Sequence, residues 1–270
     1  MQSSTTLTFD MFLMKLLAVE SGLSPSRFDW YVENLDVPVI SYVKVSRPGR
    51  CLRDPSTGQV VQVQMTVSEY FQALGVIHLF DPANPACIAN MQYHSINALG
   101  FVGYQFGEAA LQALGYYQPA QSDSRSSPFL SGLEIIYRGD VPQNTWLHGK
   151  TRTLIQTEVP AVIATDVNEW QGVFTGKSGV TAFADLLNGD KQEYIIRDLL
   201  QHNLHILLEQ FEGAIPLPEN VTLSGVLAAA HLSGPYGVAA HLRDGQVTAD
   251  EFGTPVQQYL SEFSGYSVPF

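Results

Sequence analysis

Between Ile195 and Phe211, apolar residues recur at three- and four-residue intervals: Ile195, Ile196, Leu199, Leu200, Leu204, Leu207, Leu208 and Phe211. That period marks one face of a long α-helix, and such a face needs a partner surface to cover it. Gly213 closes the stripe, because glycine takes the left-handed turn that ends a helix. The same spacing returns near the start of the chain. Phe9, Phe12, Leu13, Leu16 and Leu17 predict a helix over about 8–21, stopped by Ser21-Gly22 and Pro25. Shorter helices are expected over 222–232 and 236–243, split at Gly234-Pro235, and near 255–263. Apolar stripes at both ends of one chain call for a shared core. The expected fold class is therefore α-rich α+β, a single domain over residues 1–270.

The extended pieces read as additions to this helical frame. Val-rich alternation over 37–65, broken by Arg47-Pro48-Gly49 and Pro55-Ser56-Thr57-Gly58, predicts a short β-hairpin. Thr66-Val67-Ser68-Glu69 is a capping box that opens a helix through about Leu79, with Asp81-Pro82 and Asn84-Pro85 as stops. A further helix starts at Gly107 and ends before Gly115. Residues 119–128, rich in Ser, Pro and Gln, read as a surface loop, and 133–164 as irregular strands. Residues 119–165 together form an irregular β and loop segment.

Charge and composition narrow the function classes. Apolar residues make up 45% of the chain, too many for wholesale disorder. Fourteen basic against 26 acidic side chains leave a formal net charge of −12. Nucleic-acid binding needs clustered Lys and Arg to neutralise phosphates, so no nucleic-acid partner is expected. No run approaches the ~18–20 apolar residues of a membrane helix. Met1-Gln2-Ser3-Ser4-Thr5 lacks the basic start of a secretory signal, which points to a protein made in the cytoplasm without a signal peptide. Cys51 and Cys87 are too few for a disulfide framework and have no metal-ligand spacing; a bridge and two thiols both remain open. His202, His205 and Glu209 read as a solvated helix face rather than a zinc site, and no metal or cofactor is expected. A Gly-x-Ser-x-Gly nucleophile elbow is absent.

Glu20 is the residue out of place. It continues the apolar stripe of the first helix instead of pointing to water. It also falls in the last turn, where unsatisfied carbonyls disfavour a negative charge. Burial and the helix end both favour the neutral acid, so its pKa should rise. A carboxylic acid still protonated near neutral pH can donate a proton to a leaving oxygen.

Two other stretches carry chemistry. Asn97-Ala98-Leu99-Gly100-Phe101-Val102-Gly103-Tyr104-Gln105-Phe106-Gly107 places Tyr104 and Gln105 among glycines that permit close backbone approach. An aromatic ring can cover a sugar face, and Gln can donate and accept hydrogen bonds at once. A phosphate loop is disfavoured, because no Lys or Arg lies between residues 54 and 124. Ser224-Gly225-Val226-Leu227-Ala228-Ala229-Ala230-His231-Leu232-Ser233-Gly234-Pro235-Tyr236-Gly237 is a tight-packing helix whose Gly-Pro break leaves His231 and Tyr236 near a helix end. Trp146 and Trp170 are candidate sugar platforms.

In this order, the three stretches resemble the goose-type lysozyme and soluble lytic transglycosylase superfamily, lysozyme-like domains of bacterial or phage origin. Glu20-Ser21 matches its Glu-Ser at the end of a buried helix. Gly103-Tyr104-Gln105-Phe106 looks like its Gly-Leu-Met-Gln turn, and Ala229-Ala230-His231-Leu232-Ser233-Gly234-Pro235 is similar to its Ala-Tyr-Asn-Ala-Gly-Pro segment. About 30 residues carry the likeness. The chain departs from the family in having His231-Leu232 for Tyr-Asn. The family tyrosine contacts the catalytic acid, so the resemblance implies that His231 takes its place. Segment 31–96 is then an insertion able to wall the cleft.

The resemblance implies a lysozyme-like helical domain that cleaves peptidoglycan glycan strands. Glu20 would be the general acid on the MurNAc–GlcNAc bond, and Gly103, Tyr104, Gln105, His231 and Tyr236 would bind substrate. A transglycosylase needs no second carboxylate, whereas an inverting muramidase needs one about 6.5–9.5 Å away. Asp29, Glu33, Asp36, Asp166 and Glu169 are the candidates. The alternative is a non-catalytic glycan- or protein-binding module on the same fold. An enzyme of this kind would reach the cell wall, in the periplasm or outside, by lysis, non-classical export or a delivery partner. Its negative charge gives it no attraction to an anionic envelope.

Overall fold

Thr8 adopts extended backbone, and its hydroxyl accepts a hydrogen bond from the Met11 N–H, capping helix α1 (Phe9–Ser21). Gly22 ends the helix at φ 67, with its N–H returned to the Val19 carbonyl. In this computed structural model, residues 7–44, 52, 54–57, 59–119, 133–138, 141–148, 154–156, 168–246, 249 and 253–270 are described. After α1 come α2 (Phe28–Glu33), β1 (Pro38–Val43), β2 (Gln62–Thr66), α3 (Val67–Ala73), α4 (Cys87–His94), α5 (Glu108–Ala113) and β3 (Tyr117–Gln118). Strands β4 (Leu133–Arg138), β5 (Val141–His148), β6 (Leu154–Gln156) and β7 (Val173–Phe174) follow. Helices α6 (Phe183–Leu186), α7 (Gly189–Gln210), α8 (Leu223–Asp244) and α9 (Val256–Glu262) complete the order. About 51% of the protein is helical, an α-rich α+β arrangement. The strands form small antiparallel sheets: β1 with β2, β3 with β7, and β4-β5-β6.

Local signals account for most of these elements, and their failures have local causes. The capping box is present: the Thr66 hydroxyl accepts from the Glu69 N–H, and the Glu69 carboxylate accepts from the Thr66 N–H. Its helix does not reach Leu79. Gly75 turns left-handed at φ 74, and only a single 3₁₀ turn follows over Ile77–Leu79. Helices α2 and α4, six and eight residues long, are not among the expected elements. The Gly234-Pro235 break is a kink inside α8, with Gly234 at φ 73 and ψ 158. Residues 120–132 and 157–167, with Cys51 and Asp166 and the Trp146 side chain, lie outside the described residues.

The apolar stripes of the two chain ends meet. Phe12, Leu13, Leu16 and Leu17 of α1 share a buried cluster with Ile195, Ile196, Leu199 and Leu200 of α7, Val226–Ala230 of α8, and Tyr259 and Leu260 of α9. A second cluster, with Leu23, Tyr31, Val67, Phe71, Ile88 and Met91, is built largely from segment 31–96. It is tied to the end of α1: the Tyr70 hydroxyl donates to the Gly22 carbonyl at 3.2 Å, and Gln92 Nε2 to the Leu23 carbonyl at 2.7 Å. The segment thus packs around the turn that carries Glu20. No described helix is long and apolar enough to cross a membrane.

Candidate active site

Glu20 occupies the last turn of α1 with its side chain 7% exposed. Its position on the apolar stripe keeps the side chain largely, though not wholly, out of water. The Tyr259 hydroxyl, on α9, donates to Glu20 Oε1 at 2.8 Å. That tyrosine was not singled out in the sequence. The signal was present all the same, since Val256, Tyr259, Leu260 and Phe263 follow helical spacing and aim the Tyr259 ring inward, where all four are buried. A hydroxyl buried on such a face requires a polar partner.

The second stretch forms a tight hairpin. Val102 and Phe106 exchange backbone hydrogen bonds, N–H to carbonyl, at 3.1 and 2.9 Å, with residues 103–105 as the tip. Gly103 and Gln105 both have positive φ, 53 and 59. Gln105 is the informative one, because a non-glycine residue in this region is held there by its surroundings. Its Nε2 donates to the Glu20 backbone carbonyl at 2.7 Å, one of the carbonyls that a helix end leaves unpaired. Its Oε1 accepts from Asn97 Nδ2 at 2.6 Å. Gly103 is packed so closely on the Gln192 amide that a Cβ would collide with it.

Tyr104 is in the core, not on a cleft surface. It is 0% exposed, and its hydroxyl donates to Glu193 Oε1 at 2.6 Å. Burial and the Glu193 charge push its phenol pKa up. The ring therefore supports the hairpin tip and offers no face to a sugar.

His231 also departs from expectation. Its Nε2 lies 2.7 Å from the Tyr104 carbonyl, which can only accept, so Nε2 carries the proton. Its Nδ1 has no hydrogen-bond partner among the described residues. Burial lowers its pKa to about 4, so the ring is neutral near pH 7. Nε2 stands 3.8 Å from Glu20 Oε1, beyond hydrogen-bonding distance. His231 thus fixes the hairpin tip beside Glu20, while the hydroxyl contact to the acid comes from Tyr259.

Glu20, Gln105, His231 and, through its backbone, Tyr104 are accordingly brought together, with Gly103 alongside. Tyr236 is not joined to them by any described hydrogen bond; it is 64% exposed beyond the kink of α8. Trp170 is a packing residue. It stacks on Phe174 and donates from Nε1 to the Gly100 carbonyl at 2.8 Å. Asp29, Glu33, Asp36 and Glu169 are exposed. Among the described residues, no group of three or more His, Cys, Asp or Glu is placed to hold a metal ion, and His205 and Glu209 make an exposed pair at 3.1 Å. Compared with protein-family models, curated proteins and solved structures, the chain matches none of them.

Proposed function

We propose that the protein is a peptidoglycan-cleaving glycosidase, a lytic transglycosylase or muramidase, with Glu20 as general acid on the MurNAc–GlcNAc bond. The observation that carries this reading is the setting of Glu20: a carboxyl 7% exposed, at the C-terminal end of a buried helix, in contact with a tyrosine hydroxyl. A tyrosine hydroxyl can donate to the carboxylate or accept from the acid, so the Tyr259 contact suits both states of a group that gives up and regains a proton. The resemblance calls for a tyrosine on the acid, and Tyr259 meets that requirement from a different element than expected.

In the reaction, Glu20 protonates the glycosidic oxygen as the bond to the anomeric carbon breaks. In the transglycosylase route the muramic 6-hydroxyl closes on that carbon, and its proton returns to the Glu20 carboxylate. In the hydrolytic route water attacks, with a second carboxylate as base in an inverting enzyme. The single-acid route is the simpler of the two, because it requires none of the exposed carboxylates Asp29, Glu33, Asp36 and Glu169, nor Asp166, which lies outside the described residues.

Digestion of purified sacculi by the protein and by Glu20→Gln, with fragments weighed by mass spectrometry, tests the proposal. Anhydro-ended muropeptides from the wild type alone are expected, and reducing ends would assign hydrolysis instead. No release between pH 4 and 8, or full activity in Glu20→Gln, would overturn the catalytic assignment and leave a binding module.

A further inference from the structure

Gln105 touches the acid residue, yet an isolated glutamine amide does not determine whether it presents nitrogen or oxygen. Here the surrounding bonds decide. The Leu99 and Phe101 backbone N–H groups, which can only donate, point at one side-chain atom of Asn97 at 2.8 and 3.1 Å, so that atom is Oδ1. Its other arm is then the donor, and it meets Gln105 at 2.6 Å, making the facing atom Oε1. Gln105 must therefore turn its NH₂ toward Glu20, where the backbone carbonyl, an obligate acceptor, receives it at 2.7 Å. Unambiguous backbone groups stand at both ends of this relay, and they agree. The NH₂ carries two N–H bonds, and the described residues use one. The residue is half-buried and not sealed in the core, and no described hydrogen bond takes up the second N–H.

We infer that Asn97 is a positioning residue that locks Gln105 as a hydrogen-bond donor beside Glu20, and that the spare Gln105 N–H recognises a carbonyl oxygen on the substrate. This rests on the glycan-cleaving reading, under which the oxygen belongs to the acetamido group of an N-acetylated sugar. The same site rejects an N–H at that point, since two donors would face each other. Asn97 touches no substrate; it acts only through the orientation of Gln105.

Asn97→Asp separates this role from a structural one. A carboxylate keeps both backbone bonds from Leu99 and Phe101 but cannot donate to Gln105 Oε1; as a charged acceptor it competes for the Gln105 NH₂ more strongly than the neutral Glu20 carbonyl does, so the amide should turn over. The NMR signals of the Gln105 side-chain NH₂ are expected to shift and lose protection from exchange. Affinity for the N-acetylglucosamine trimer relative to cellotriose, a neutral trimer with hydroxyls for acetamides, should fall about tenfold, the worth of one hydrogen bond. Gln105→Met, close in length with no amide, should show the same narrowed ratio. An unchanged Gln105 NH₂ in Asn97→Asp overturns the relay. A shifted NH₂ with an unchanged ratio overturns the recognition claim. A wild-type protein that binds neither sugar overturns the glycan reading, and the NH₂ signal still judges Asn97.

Discussion

Tyr259 and Glu20 lie 239 residues apart in the chain, and the hydroxyl of one donates to Oε1 of the other at 2.8 Å. The contact joins α9 to the end of α1 and fixes the rotation of the carboxyl group. Tyr259→Phe removes only the hydroxyl and keeps the buried ring. Release of muropeptides from sacculi should fall about tenfold, with a stability loss of about 1 kcal/mol. Unchanged release would take Tyr259 out of the working site.

His231 predicts how stability depends on pH. Its pKa is lowered by burial from 6.5 to about 4 in the folded protein. Between those values the unfolded chain binds a proton that the folded one excludes, so acid favours unfolding. The contribution is complete above pH 6.5 and is lost as pH falls through 4; its size is on the order of 3 kcal/mol. His231→Gln can still donate to the Tyr104 carbonyl but does not titrate. Urea midpoints measured from pH 7 to pH 4 should fall more steeply for wild type than for the variant, and parallel curves would refute the assignment.

Gly103 and Gly115 both have positive φ, 53 and 75, but only Gly103 has a side-chain amide where a Cβ would go. Gly115→Ala should cost about 1 kcal/mol for backbone strain alone, and Gly103→Ala about 2–3 kcal/mol. Equal shifts in the denaturation midpoint would mean that Gln192 gives way and does not hold the hairpin tip.

The net charge of −12 denies the protein any long-range attraction to an anionic wall. Raising salt from about 0.05 to about 0.5 M, which shortens the screening length several-fold, should leave activity on sacculi within about a factor of two. A steep decline would reveal a local basic surface used for docking.

Residue order alone determined the helical frame of this protein. The stripes of α1 and α7, the Thr66–Glu69 box and the stops at Gly22 and Gly213 act within a few residues of chain, where spacing and backbone preference suffice. It also made Glu20 conspicuous, because a charge on an apolar face is visible without knowing what covers that face. It did not reveal that Tyr104 turns inward, that Gln105 clamps the end of α1, or that Tyr259 rather than His231 reaches the acid. Those outcomes depend on which faces of α1, α7, α8, α9 and the 102–106 hairpin meet. Only the packed structure decides that, because each buried polar atom takes its partner from whatever distant element the core brings within about 3 Å.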